Sequence, residues 1–323
     1  MNVPSAIPPE RALPARTRHF LTLRDLGRDE LLQLISRAGE LKRLRGLPAH
    51  PKPLAGKSVG ILLEKSSTRT RISFEVGVFE LGGLPITLKP GDIQLGRGET
   101  IEDSARMFSR FLHAVVFRTS THARLVRLAQ FSTVPVINGL CDLHHPTQLL
   151  ADLQTVQENL GYLEGVRVVW VGDGNNMAHS WIEAASLLGF DLTVVCPTGY
   201  EPDAGIVQAA QQSARGTVRV LTGAAAIDEA CRDADVVTTD VWVSMGQEGE
   251  SGARNAVFAD FTVTAARMKL AKSGAIFLHC LPAHRGEEVA ADVIDGPWSR
   301  VWDEAENRLH SQKALLELLL AAP

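Results

Sequence analysis

Cysteine is scarce in this chain: four residues in 323, Cys141, Cys196, Cys231 and Cys280, lie far apart and form no C-x-x-C pair. Their spacing excludes a disulfide framework and a zinc knuckle and fits a reducing compartment. Long apolar runs are missing too. No stretch approaches the roughly 18 residues that a membrane-spanning helix needs, and the N-terminus lacks the apolar centre of a signal peptide. A basic excess is also absent, with 33 Lys and Arg against 37 Asp and Glu and a net charge of −4, so nothing points to a polyanionic partner. The Gly-rich loop PGDIQLGRGET at 90–100 does not follow the G-x-x-x-x-G-K-[ST] order of a nucleotide P-loop. Gly172 and Gly174 supply G-x-G after the apolar run VRVVWV, but Met177 stands at the third glycine position. A bulky side chain there obstructs close helix–strand packing, which counts against a nicotinamide cofactor.

What is present is an ordinary globular composition, 45% apolar and 22% charged, in a chain long enough for two domains. Short apolar runs alternate with helical periods in both halves. Strands are expected at 59–63, 113–118, 134–138, 166–171, 192–195, 218–221, 236–239 and 275–279. Helices are expected from Thr22 to Leu44, across 101–112 and 124–131, from Thr147 to Leu160 as a domain connector, on to Leu188, and over 308–320. The alternation predicts an α/β architecture of two doubly wound parallel-sheet domains, with the apolar C-terminal helix packing back on the first. Residues 1–17 read as a loose tail, whose Glu10 and four prolines count against an amphipathic targeting helix.

The stretch VGILLEKSSTRTRISFEVGVFELGG at 59–83 concentrates the chemistry. A buried strand empties into Ser66, Ser67 and Thr68, which are N-cap types, and a helix starting there aims free N–H groups and its positive end at whatever lies over the turn. Arg69 and Arg71 add forked cationic donors, and Ser67, Thr68 and Thr70 add hydroxyls, so the segment is a candidate anion site. Residues 72–81 fit both a strand period and a helical one; the preceding caps and Gly82-Gly83 favour the helix. Cys141, His144 and His145 have metal-ligand types, but Pro146 interrupts them, and they read as a polar loop before a helix. Polar loops follow further strands at Asn175-Asn176, at Asp240 with Ser244, Met245 and Gly246, and at His279-Cys280-Leu281-Pro282, the place where open parallel sheets bind ligands.

Taken together, Ser67-Thr68-Arg69-Thr70-Arg71, His145-Pro146-Thr147-Gln148, Asp240 with Ser244-Met245-Gly246, and His279-Cys280-Leu281-Pro282 resemble the transcarbamylase family from about residue 18 to the C-terminus, on its ornithine branch. The first two motifs are shared with the aspartate branch and imply carbamoyl phosphate; the last two imply ornithine as the acceptor. The resemblance implies attack of the δ-amine of L-ornithine on the carbamoyl carbon, giving citrulline and phosphate in arginine metabolism. Carbamoyl phosphate would be held by Ser67, Thr68, Arg69, Thr70, Arg118, His145, Pro146, Thr147, Gln148, Cys280, Leu281 and Arg308, with Gln94 reaching in from a neighbouring subunit. Arg118, His145, Cys280 and Arg308 would carry the catalytic contacts, Gln148 would hold the carbamoyl nitrogen, and Asn176, Asp240, Ser244 and Met245 would hold ornithine. Thr147 stands where many relatives have cysteine, and no carboxylated lysine or aromatic substitution marks the acylated-ornithine branches.

The resemblance also implies no cofactor and no metal, a homotrimer or multiple of trimers with shared sites, no nucleic-acid or membrane partner, and a cytoplasmic location. It implies a carbamoyl phosphate domain over 18–149 that regains 308–323, and an ornithine domain over 150–307. The alternatives are a sister enzyme acting on putrescine or an acylated ornithine, an oxidoreductase resting on Gly172-x-Gly174, and a non-catalytic binding protein. Biosynthetic or degradative direction, substrate order and the fate of the Cys280 proton stay open at this level.

Overall fold

A computed structural model describes residues 17–89, 91–92, 98–213, 215–243, 249 and 251–321. In the first half, α1 (Arg28–Arg43), β1 (Ser58–Leu63), α2 (Thr68–Glu80), β2 (Leu84–Leu88), α3 (Ile101–Phe111), β3 (Ala114–Arg118), α4 (His122–Phe131) and β4 (Val136–Leu140) build a parallel sheet of order β2-β1-β3-β4. Next come α5 (Pro146–Leu160), β5 (Arg167–Val171), α6 (Asn176–Leu188), β6 (Asp191–Cys196), α7 (Ala204–Ser213), β7 (Val218–Thr222), α8 (Ile227–Cys231) and β8 (Val236–Thr239). The chain closes with α9 (Ser251–Phe258), α10 (Ala265–Met268), β9 (Ile276–His279), α11 (Ala291–Ile294) and α12 (Val301–Leu320). The second sheet is also all parallel, in the order β7-β6-β5-β8-β9.

Strand order reverses between β1 and β3 in one sheet and between β5 and β8 in the other. At such a reversal the flanking helices leave on opposite faces, so a crevice opens beyond the carboxyl ends of the two central strands. The loops that leave these ends carry Ser67, Asn175 and Asp240, and Arg118 closes β3 itself. Both expected half-sites therefore sit at the one place in each sheet where a cleft is topologically required.

The strand-or-helix ambiguity of 72–81 is resolved as helix. Thr70, Phe74, Gly77 and Val78 are buried, a 3.6-residue repeat, while Ile72 and Phe79 on the opposite face stay exposed. Gly77 allows α2 to lie close on α12, since a β-carbon there would stand 3.4 Å from Lys313 Cγ and 3.5 Å from Leu309 Cδ1. The C-terminal helix does pack back on the first half, against α1, α2 and α5.

Four sequence expectations need correction. The helix expected from Thr22 begins at Arg28, because a 3-10 turn at Leu23–Asp25 and an extended Leu26 precede its cap at Gly27. The strand expected at 134–138 lies at Val136–Leu140, displaced by the Pro135 that precedes it. The C-terminal helix begins at Val301, not at 308; its polar first turns conceal the start, although Glu304 and Asn307 there are buried against other side chains. Strand β2 was not expected at all. It is an edge strand with no fully buried side chain, and its Pro85, which only an edge tolerates, interrupts the short alternation of Leu84, Ile86 and Leu88.

One buried pair at the seam between the halves bears on stability. Glu183 on α6 accepts the Leu23 N–H at 3.3 Å, and burial pushes its carboxyl up to about 7. His144 Nδ1 lies 3.6 Å away, and burial, with His122 and His179 close by, drives that imidazole down to about 3. Between pH 4.5 and 7 the folded carboxyl keeps a proton that an unfolded glutamate has lost, so stability falls as pH rises through that window. Glu183→Gln is expected to match the parent near pH 4 and to exceed it by up to about 3 kcal/mol at pH 8, read by thermal denaturation. A variant less stable than the parent at pH 8 would contradict this.

Candidate active site

The first half-site is cationic. Ser67 is the N-cap of α2 and makes no side-chain cap hydrogen bond, leaving the first-turn N–H groups of Thr68, Arg69 and Thr70 to whatever occupies the cleft. Arg118 closes β3 in register with Leu63, the last residue of β1, so its guanidinium emerges beside the same turn. Arg308 arrives from α12 and donates through Nη2 to Thr70 Oγ1 at 2.9 Å and through Nη1 to Gln148 Oε1. Burial, with Arg308 and Arg69 adding repulsion, lowers Arg118 to about 10, and burial with Arg69 lowers Arg308 to about 10. Both remain charged at neutral pH. Three guanidinium groups held this close, two of them buried, form a site that a dianion would stabilise.

His145 is the N-cap of α5, with Pro146 preset for the first helical position. Its backbone N–H is anchored on Ser180 Oγ at 2.9 Å, which ties the motif to α6. Burial, followed by repulsion from Arg308, Arg118 and Arg69, holds the ring well below the usual histidine range. It is therefore neutral at physiological pH and can give one N–H without adding charge. Thr147 is buried, its Oγ1 3.5 Å from His145 Nδ1 and 3.4 Å from the Asn138 carbonyl, where it supports the histidine.

The second half-site is centred on Asp240, directly after β8. Its Oδ1 accepts the Val241 N–H at 2.8 Å and the Cys280 thiol at 3.1 Å, and its Oδ2 accepts from Asn175 Nδ2 at 3.0 Å. Burial first, and then Asp240, push the Cys280 thiol well up, so it keeps its proton and donates. Gln148 accepts from Arg308 and donates to Glu304, whose other oxygen accepts the His279 N–H beside Cys280, so the two half-sites adjoin one cleft. Leu281 follows it with φ 57, and its N–H donates to His279 Nδ1 at 2.9 Å.

Two residues of this network, Asp152 and Glu304, are not singled out by the sequence, and within the Asn175-Asn176 loop one residue takes the place expected of the other. Asn175, rather than Asn176, contacts Asp240; its Oδ1 also caps α6 by accepting from Met177 and Ala178 N–H. Asn176 Nδ2 instead donates to the Cys141 carbonyl at 2.8 Å. The signal for Asn175 was present, since Asn just before a helical period is a strong N-cap. Asp152 and Glu304 could not be found from pattern. Gln148 Nε2 donates to Asp152 Oδ1 at 2.8 Å and to Glu304 Oε1 at 3.0 Å, so both of its N–H groups are used internally. Burial raises Asp152 to about 7 and Glu304 well above the usual range. Glu304 Oε2 also accepts the His279 N–H at 2.8 Å, and Glu304 lies one turn from Arg308 on the same face of α12. This helix thereby joins the anion cradle of one sheet to the His-Cys-Leu-Pro loop of the other.

Of the remaining expected site residues, Gln94, Ser244 and Met245, with Gly246, lie outside the described residues. The G-x-G turn has a structural reason. A β-carbon at Gly174 would stand 2.2 Å from Pro202 N, so the glycine admits the 200–202 backbone and not a pyrophosphate.

Sequence models of the aspartate/ornithine carbamoyltransferase family match in two parts, the carbamoyl-P binding domain over residues 18–158 and the Asp/Orn binding domain over residues 164–319. The chain is 56% identical over 303 residues to an ornithine carbamoyltransferase of Halorhodospira halophila, covering 94% of this chain and 99% of that one. It is 52% identical over 303 residues to the anabolic ornithine carbamoyltransferase of Pseudomonas aeruginosa, covering 94% and 97%. The solved ornithine carbamoyltransferase of Pyrococcus furiosus superposes with a TM-score of 0.90 at 46% identity, covering 95% of this chain and 98% of that one. With the cationic cradle on one sheet, the Asp240 and Cys280 pair on the other, and agreement over nearly the whole length, the chain belongs to the aspartate/ornithine carbamoyltransferase family.

Proposed function

We propose that the chain transfers the carbamoyl group of carbamoyl phosphate to the δ-amine of L-ornithine, producing L-citrulline and phosphate. The observation that carries this reading is the opposition of a three-arginine anion cradle to a single buried carboxylate partnered by a thiol. A second dicarboxylate substrate would call for further cations opposite the cradle, whereas Asp240 and Asn175 suit the α-ammonium of an amino acid.

In this reading the phosphate rests on the α2 N-terminus with Arg69, Arg118 and Thr70. The δ-nitrogen forms its bond to the carbamoyl carbon, and the carbonyl oxygen becomes an oxyanion facing the neutral His145 N–H and the guanidinium groups of Arg118 and Arg308. The oxyanion then re-forms the carbonyl as the C–O bond to phosphate breaks, and phosphate leaves with the electron pair and takes up the proton that the nitrogen sheds. Preorganised donors favour that oxyanion because they need no reorientation as charge develops. Gln148 Oε1 accepts from Arg308 and, as an amide oxygen with two lone pairs, has one left for a carbamoyl N–H. Cys280 holds its proton, so it orients the incoming amine and does not act as a ready-made base.

The border between a carbamoyl phosphate unit (18–149 with 308–323) and an ornithine unit (150–307) runs through α5 and α12, which makes these two helices the mechanical link between the half-sites. Assembly into a trimer that shares its sites through Gln94 is supported by the exposed apolar side chains of Ile72 and Phe79 on α2 and of Leu84 and Ile86 on the edge strand β2. A cytoplasmic location is supported by the free cysteines, and no helix among the described residues is long and apolar enough to cross a membrane. The relative called anabolic favours a biosynthetic role in arginine metabolism.

The deciding experiment compares ornithine, putrescine, N-acetylornithine and aspartate as acceptors. Citrulline from ornithine at a kcat/KM at least about 100-fold above the others is expected, since a site that pairs a charged group discriminates by several kcal/mol. Because a lysine-like amine is mostly protonated at neutral pH, the same parameter should climb with pH from 6 to 9. Preferred carbamoylation of putrescine would move the chain to the sister activity.

A further inference from the structure

Beyond the cleft, the turn after Pro282 gathers three ligand-type side chains. His284, Glu287 and Glu288 bring one donor atom each to within 4.8 Å of one another. His284 Nδ1 lies 3.8 Å from Glu287 Oε2 and 3.8 Å from Glu288 Oε2. The turn is pinned by backbone hydrogen bonds, Glu287 N to His284 O at 3.0 Å and Gly286 N to Val289 O at 2.8 Å, with Gly286 at φ 90. The donors are thus arranged before any ligand arrives.

Glu288 supplies the independent sign of a ligand. Its side chain is fully buried, and Oε1 accepts both the His284 N–H at 2.6 Å and His279 Nε2 at 3.1 Å. Its Oε2 is equally buried and has no hydrogen-bond partner. A buried carboxylate oxygen without a partner is costly, and 3.8 Å to the imidazole is too long for a hydrogen bond. We infer that His284 Nδ1, Glu287 Oε2 and Glu288 Oε2 form a site for a divalent transition cation of the zinc class.

One imidazole with two carboxylates suits such an ion better than the all-oxygen shells of magnesium or calcium. Donors on a tetrahedral ion at about 2.0–2.1 Å stand about 3.4 Å apart, so the two imidazole–carboxylate separations of 3.8 Å need to shorten only slightly, with the carboxylate pair starting within 4.8 Å. Water would complete the shell on the exposed side, where His284 and Glu287 are 52% and 41% accessible. Among the described residues, the other ligand-type group, Asp240, His279 and Cys280, belongs to the cleft, and both ring nitrogens of its histidine are already engaged, by Glu288 and by the Leu281 N–H. Through that Glu288–His279 bond an ion in the turn would brace the His-Cys-Leu-Pro loop from outside the cleft.

Cobalt(II) is the probe, titrated into the metal-stripped full chain and followed by calorimetry, absorption and melting temperature. One ion per chain is expected, without sulfur-to-cobalt charge-transfer absorption and with a raised melting temperature. His284→Ala and Glu287→Gln should each weaken binding about 10- to 100-fold and abolish the thermal shift, while metal-free carbamoyl transfer stays at the parental rate. Unchanged affinity in both variants, a thiolate charge-transfer band abolished by Cys280→Ser, or no binding below about 1 mM would each overturn the site.

Discussion

Arg69→Ala is expected to reduce citrulline formation about 1,000-fold in kcat/KM, equivalent to about 4 kcal/mol of transition-state stabilisation, with the melting temperature almost unchanged. The separation of the two effects follows from position. Arg69 is in the first turn of α2 and only partly buried, so little packing is lost with it. Its charge nevertheless bears on Arg118, His145 and Arg308 together, each of which it pushes towards the neutral form. Without a bound dianion that mutual repulsion is a cost; with one it becomes attraction. Arg69→Lys should recover part of the charge effect but not the forked contact. Steady-state assays beside thermal denaturation check this, and a variant that kept most of its activity would remove the cradle from the mechanism.

Asp240→Asn tests the other half of the cleft. The change is isosteric and leaves acceptors for the Cys280 thiol and the Val241 N–H, yet it removes the charge proposed to pair with the α-ammonium. At 8% exposure that pair would be largely desolvated, and its loss is expected to lower kcat/KM for ornithine about 1,000-fold. Inorganic phosphate, titrated by calorimetry, should still bind within about threefold of the parent, because the cradle is built on the other sheet. Parallel loss of phosphate affinity would show that the two half-sites do not act separately, and an unaltered KM for ornithine would show that Asp240 is not the amine's partner.

Comparison of α2 with β2 shows why some of this was legible in one dimension. Helix α2 has caps before it, glycines after it and a buried face every 3.6 residues, so local rules were sufficient despite the competing alternation. Strand β2 has one exposed face, a proline and a partner 26 residues away, Leu84 against Ser58, and only the pairing itself makes it a strand. The site divides in the same way. Ser67, Arg69, Arg118, His145 and Asp240 each follow a strand or begin a helix, where sequence punctuation marks them. Asp152 and Glu304 lie within helices, where an acid reads as solvated surface until packing buries it against Gln148. Asn175 and Asn176 are adjacent, and a helix start separates them by about 100° of rotation, so only coordinates tell which one meets Asp240.

The linear chain was enough to specify the alternation of strands and helices, the two parallel sheets, the helix start that can hold an anion, and the motifs of the transcarbamylase family, because each is written in residues close together. Tertiary structure alone decided that Arg308 bonds Thr70, 238 positions away, that Glu304 ties that cradle to the Cys280 loop, and that one oxygen of Glu288 is buried without a partner. The reason is physical. Charge repulsion, desolvation and hydrogen-bond satisfaction depend on distances in space, and a sequence supplies those only across a turn or two.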